Sequence, residues 1–214
     1  MSDNQFWRVP PSDHFAQVVR AYEAIFPDYI YKDSINKIKQ KNLNCLNEKD
    51  IDIILNPFFL KWGSMSRHLG FAGCKKVGEL LKEMSEELFD IRYYNLHDDF
   101  EKVKNLPELY NKIRYAEFKS TWNGTKKVCS TATSKALHLI APDFFVMWDD
   151  PIRDFYGYTK AGTGKDYQKF LANMKYWIEG LNPTITSLSE QFGKTNAKII
   201  DEFNWYRLRP WWHT

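Results

Sequence analysis

Apolar residues in the segment "CKKVGELLKEMSEELFDIRYYNL" recur at three- and four-residue steps: Val77, Leu80, Leu81, Met84, Leu88 and Ile91. That period marks one face of an α-helix. Period-two alternation, the mark of a half-buried strand, is scarce along the whole chain. The chain therefore reads as all-α, with little or no sheet expected. Ser12 or Asp13 is expected to cap a helix through "HFAQVVRAYEAIF", which stops before Pro27. "KDSINKIKQKN" and "NEKDIDIILNPFFLKWG" supply two more, the second interrupted by Pro57. "LPELYNKIRYAEFKS" places Pro107 in a first helical turn. A turn at Asn123–Gly124 then leads into a helix ending near Pro142, and Asp150 before Pro151 fits the cap of the next. "GKDYQKFLANMKYWIEGL" and "PTITSLSEQFGKTNAKIIDEFNWYRL" supply two or three more.

With 214 residues, 43% of them apolar and 16% aromatic, the chain has enough material for one well-packed core and is not a disordered segment. The expectation is a single compact unit over 1–214, with lobes 1–100 and 101–214 meeting near the polar "HDDFEKVKN". A net charge of +3 with interleaved signs permits a local basic patch without announcing a nucleic-acid binder. Cys45, Cys74 and Cys129 are odd in number, widely spaced and without a Cys-x-x-Cys pair, which fits reduced thiols better than disulfides or a zinc site. No secretory signal and no apolar run of about 20 residues is visible, so a cytoplasmic protein with no membrane partner is expected.

The stretch "TSKALHLIAPDFFVMWDDPIRDFYG", residues 133–157, runs from Lys135 through apolar chain to two adjacent aspartates. On a helical wheel for 128–140, Val128, Ala132, Ala136, Leu139 and Ile140 form a stripe, with Lys135 on its flank and Thr131 and His138 further round. Partial desolvation of Lys135 would lower its pKa and raise its nucleophilic fraction. A flanking lysine more commonly extends its ammonium to water. Asp150 reads as a cap, which leaves Asp149 without a structural duty. His138 reads as a satisfied core histidine; no metal-ligand spacing surrounds it, and no metal or cofactor is expected.

Residues 125–153 resemble the core of the helix-hairpin-helix DNA glycosylase superfamily, in particular a divergent bacterial and archaeal branch with the pattern "A-S-x-x-L-H-F-x-x-P-x-x-x-P-I-x-D". Here it stands as "TSKALHLIAPDFFVMWD", with Ser134, Leu137, His138, Pro142 and Asp149 at its marked positions. The resemblance implies a two-lobed all-α fold that extrudes a nucleotide from duplex DNA into a pocket between the lobes. It implies an aspartate, here Asp149, that stabilises positive charge on the sugar as a modified or damaged base departs. In bifunctional members a lysine attacks the anomeric carbon and forms a Schiff base that permits strand cleavage. That lysine usually precedes the aspartate by about eighteen residues, a count that reaches Thr131; Lys135 lies one helical turn later. Lys135 is therefore the Schiff-base amine or a phosphate contact, or the lysine is absent and the protein is monofunctional or inactive.

The family's "G-x-G" turn, whose amides hold a phosphate, is replaced here by "NGTKKVCS". Gly124, Lys126 and Lys127 remain as backbone contacts, with Thr131 and Arg153 as further DNA-binding candidates and His138 and Trp148 as pocket candidates. No cysteine cluster follows, so no iron–sulfur cluster is expected. The rival expectation is a non-catalytic nucleic-acid or protein-binding module on the same scaffold; a third is an enzyme acting on free nucleosides. Three other stretches carry weaker signals. "NWYRLRPWWHT" interleaves Trp205, Tyr206, Trp211 and Trp212 with Arg207 and Arg209, suited to stacking on bases or to burial against the fold. "YTKAGTGKDY" places Gly162 and Gly164 before a helix, and "WGSMSRHLG" offers Arg67 and His68 at a surface turn.

Overall fold

Helices account for nearly all the regular structure of a computed structural model that describes residues 8–26, 28–120 and 124–209. In chain order they are α1 (Ser12–Ile25), α2 (Tyr29–Lys39), α3 (Glu48–Asp50), α4 (Gly70–Glu83), α5 (Ser85–Phe89), α6 (Leu96–Asp99) and α7 (Leu106–Arg114). A hairpin of β1 (Glu117–Ser120) and β2 (Gly124–Lys127) intervenes. Then come α8 (Ser130–Ile140), α9 (Asp150–Phe155), α10 (Gly164–Leu181), α11 (Thr184–Phe192) and α12 (Asn196–Arg207). The fold is all-α. Among the described residues no helix is long and apolar enough to cross a membrane.

Several boundaries differ from the sequence expectation for physical reasons. Neither Ser12 nor Asp13 caps α1: both lie inside it, after Pro11, and no side chain bonds its first amides. The segment after α3 does not stop at Pro57. It continues through Ile51–Leu55 and Pro57–Trp62 as a helix of wider turns, with Asn56 N–H donating to the Ile51 carbonyl and Gly63 N–H to the Phe58 carbonyl, five residues back. Proline has no N–H and crowds the preceding turn, and the wider turns accommodate it. The long amphipathic stretch breaks at Met84, yet Val77, Leu80, Leu81, Met84, Leu88 and Ile91 are all buried as the period requires.

The expected helix through "AEFKS" is instead β1, which pairs antiparallel with β2 in the register Glu117↔Lys127 to Ser120↔Gly124. Only Phe118 of β1 turns inward, against α4. Asn123 lies outside the described residues.

One apolar cluster extends from Phe15 to Phe203. Within it α1 packs on α12, α7 on α10, and α2 and α7 on α8. The α7–α10 approach depends on Gly164, where a Cβ would fall 2.2 Å from the Pro107 carbonyl oxygen. The Gly164 amide donates to Asn111 Oδ1 at 2.9 Å, and Thr163 and Asp166 form a capping box over the same turn. The start of α10 is thus occupied by protein groups.

Candidate active-site cavity

Helix α8 is buried on every face but one, not along a single stripe. Ser130, Ala132, Thr133, Ser134 and every residue from Ala136 to Ile140 are buried. Thr131 and Lys135 alone are half-buried, four residues apart and so on one line of the helix surface. That line faces a cavity of about 600 Å³, whose wall includes Thr131, Lys135 and Asp149. This volume lies within the roughly 300–1,000 Å³ of small-molecule sites.

Asp149 reaches the cavity because residues 141–149 return through the core as irregular chain. Buried backbone polar groups need partners, and side chains supply them here. The Ser134 hydroxyl accepts from Trp148 N–H at 3.2 Å and lies 3.1 Å from the Trp148 carbonyl. Tyr167 donates to the Val146 carbonyl at 2.8 Å and Thr195 to the Pro142 carbonyl at 2.6 Å. His138 Nδ1 contacts the Phe145 carbonyl, and Nε2 lies 2.8 Å from the Tyr31 hydroxyl. A carbonyl only accepts, so Nδ1 carries the proton and Nε2 accepts from Tyr31. Burial pushes the His138 pKa down to about 3, which keeps this neutral tautomer. Ser134 and His138, two marked positions of the motif, therefore anchor the segment that delivers Asp149. His138 lies behind the cavity wall and does not line it, a correction to its reading as a pocket residue.

Lys135 Nζ donates to the Gly63 carbonyl at 3.0 Å and sits 5.1 Å from the centroid of the Trp62 ring. Gly63 and Trp62 end the wide-turned helix, so its irregular geometry positions the lysine's partners. Burial lowers the Lys135 pKa below the ordinary lysine value, against the attraction of Asp201 and Asp149. Asp149, and not Asp150, is the cap of α9: its Oδ1 accepts from Ile152 N–H at 3.2 Å. Its other oxygen accepts from Arg209, which follows α12. Asp150 is exposed and pairs with Arg153.

The remaining predicted residues divide by depth. Trp148 lines the cavity and donates through Nε1 to the Tyr110 hydroxyl at 3.0 Å. Arg153 is a correction. Its side chain is 5% exposed, with the guanidinium 5.6 Å from the Trp148 ring, so it is held inside the protein and not offered to a phosphate. Gly124, Lys126 and Lys127 lie on β2, apart from the cavity lining. Lys127 faces Glu117 at 3.7 Å, and Lys126 donates to the Arg67 carbonyl at 3.3 Å. These strand residues stand where the resemblance implied a helix-bounded phosphate turn. Trp205 lines the cavity, Tyr206 is buried, and Arg207 lies 4.4 Å from the Phe155 ring and 4.8 Å from the Phe203 ring. Trp211 and Trp212 lie outside the described residues.

Sequence reading missed the ionic floor beneath the cavity. Asp201 of α12 lines the cavity and lies 3.2 Å from Lys198 Nζ, which is also 3.1 Å from Glu202. Lys194 Nζ contacts Glu23, Asp28 and Glu202 together. Oxygens of those three carboxylates gather within 4.8 Å of one another, and the Lys194 ammonium occupies the place a cation would take. Burial raises the Asp201 pKa, against Lys198 and Lys135, and pushes Glu202 up to about 8. Burial acts on Asp28 too, but Lys198 and Lys194 outweigh it and hold that carboxyl well below the usual range. Trp62 joins floor to cavity, donating to Asp28 Oδ1 at 2.9 Å while Lys198 Nζ lies 5.1 Å from its ring centroid. The i, i+3 and i+4 spacing of Lys198, Asp201 and Glu202 was legible as a helix pattern. Their burial was not.

Fold and site together define an all-α protein in which a desolvated lysine on a buried central helix and a helix-capping aspartate line one aromatic-walled cavity. No protein-family description, curated protein or solved structure matches the chain.

Proposed function

We propose that the protein is a DNA glycosylase-like enzyme that releases a modified or damaged base from an extruded nucleotide, with Lys135 and Asp149 at the reacting sugar. One observation carries this reading: the two side chains line the same cavity. Trp62, Trp148, Trp205 and Tyr22 also line it, offering aromatic surface to a base. The lowered pKa of Lys135 supports an amine nucleophile. In that step Nζ bonds to the anomeric carbon as the bond from that carbon to the base nitrogen breaks. The departing base takes the bonding electron pair and then a proton. The bonded nitrogen loses a proton, and its electron pair forms the C=N bond of the Schiff base as the bond from the anomeric carbon to the ring oxygen breaks and that oxygen takes up a proton. The carboxylate of Asp149 opposes the positive charge that develops on the sugar.

The test is borohydride treatment with duplex DNA containing an abasic site, alongside a panel of base lesions. A covalent adduct that disappears in Lys135→Ala supports the lysine role. Base release without an adduct would leave a monofunctional enzyme.

A second reading, a non-catalytic binding module, draws on the Asp149–Arg209 contact, since both carboxylate oxygens already accept hydrogen bonds. Unchanged DNA binding in Asp149→Asn, with no base released from any lesion, decides for it.

A further inference from the structure

The turn "WGSMSRHLG" gains a role from its neighbours in space. Lys61, Arg67 and His68 meet Lys126 of β2 and Phe71 of α4 around a second cavity of about 960 Å³. Among the residues lining it, Asp52 is the one acid. No ion pair involves Lys61, Arg67, His68 or Lys126 among the described residues; the Lys126 ammonium reaches only a backbone carbonyl. Phe71 is 72% exposed, a large apolar area to leave in water beside free cations. His68 lines this groove and the Lys135 cavity alike, so the two adjoin.

An exposed aromatic ring among cations that form no ion pair with the described residues suits a unit with a flat π-face and an anionic linkage. We propose that this groove binds the nucleotide flanking the one held in the Lys135 cavity, with its base stacked on Phe71 and its phosphates held by Arg67 and Lys126. The inference rests on the glycosylase-like reading and extends it by giving the strand a path: through the groove, past His68, to the cavity. Stacking on an aromatic ring tolerates any base, and the cations read only the backbone, so this contact is indifferent to sequence.

Fluorescence anisotropy with a labelled duplex carrying a tetrahydrofuran abasic analogue, over a series of salt concentrations, tests the proposal. Phe71→Ala is expected to weaken binding roughly tenfold without changing the salt dependence. Arg67→Ala with Lys126→Ala is expected to reduce the slope of log affinity against log salt by about 2, the loss of two phosphate contacts. Affinity and slope equal to the parent in both variants, with unchanged melting temperatures, would overturn the groove. So would a parent protein that shows no affinity for the duplex.

The cavity reading is judged separately, by the borohydride adduct at high DNA concentration in the parent and in Phe71→Ala. An adduct retained while the groove variants show no binding defect sinks the groove alone. Titration with adenosine monophosphate separates the two sources of a nucleotide. Saturation that requires Phe71 but is not displaced by the duplex would assign the groove to a free nucleotide and overturn the strand path.

Discussion

The guanidinium of Arg209 closes on the carboxylate of Asp149 across sixty residues of chain. Arg209 is itself held by the Trp205 carbonyl at 2.9 Å and by the Trp205 ring, whose centroid lies 4.3 Å away. The end of α12 therefore fixes the entrance of α9, and with it the acid that shares the cavity with Lys135. Asp149→Asn keeps an oxygen for the Ile152 amide but removes the charge. The expected outcome is a fall in single-turnover base release of about 10²–10³-fold, with a stability loss of about 1–2 kcal/mol from the weakened Arg209 contact. Base release at the parent rate would reduce Asp149 to a cap.

Lys135 sets a pH dependence. Burial holds its pKa below the ordinary lysine value, and in the proposed reaction the neutral amine is the nucleophile. The rate of adduct trapping should rise with pH and level off below about 10.4, the value of an unperturbed lysine. The folded state sheds this proton more readily than the unfolded chain. Its cost to stability is therefore full below the folded pKa and relieved as pH rises through it. Trapping rates still climbing at the ordinary lysine value would contradict the desolvated site.

Gly63 holds Lys135 through its carbonyl, and its own space is tight. A Cβ there would lie 2.8 Å from the Phe59 carbonyl oxygen and 2.9 Å from that of Phe58, both backbone atoms. Gly63→Ala must shift the end of the wide-turned helix. A loss of about 1–3 kcal/mol in urea denaturation is expected, with adduct formation falling further than duplex binding. Equal losses in both would mean a general packing defect.

His138 links acid stability to the segment that delivers Asp149. Its folded pKa, about 3, lies below the ordinary value of 6.5. The unfolded chain thus binds the proton first as pH falls, and stability is lost between those two values by at most about 1.4 kcal/mol per pH unit. His138→Gln should flatten this limb while costing about 1–3 kcal/mol at neutral pH, because the Tyr31 and Phe145 contacts are imperfectly replaced. Denaturant midpoints at pH 7 and pH 4.5 measure both effects.

Lys194 supplies the charge that three carboxylates share. Lys194→Met leaves Glu23, Asp28 and Glu202 facing one another, with Lys198 the one remaining cation paired to them among the described residues. A loss of about 3–5 kcal/mol is expected by chemical denaturation. A loss below about 1 kcal/mol would show that the cluster already holds enough protons to dispense with the ammonium.

The helical period settled the fold class, because spacing alone says which positions must leave water: Val77, Leu81 and Leu88 are buried as it requires. The charges at either end of the stretch from Lys135 to Asp149 were legible in the sequence; that both line one cavity was not. Local pattern could not show that α8 is covered on every side but the Thr131–Lys135 line, since its small residues Ala132, Thr133 and Ser134 look the same facing protein or solvent. Nor could it show that Pro57 would be absorbed by wider turns, or that "FKS" would prefer a partner strand to another helical turn.

Tertiary structure alone brought Trp62, Asp201 and Arg209 to Lys135, and Lys126 to Arg67. The physical reason is that periodicity records which face of an element is apolar, not which element covers it. A buried charge is tolerated only when a partner from elsewhere in the chain arrives to compensate it, as Glu23 and Asp28 do for Lys194 across more than 160 residues.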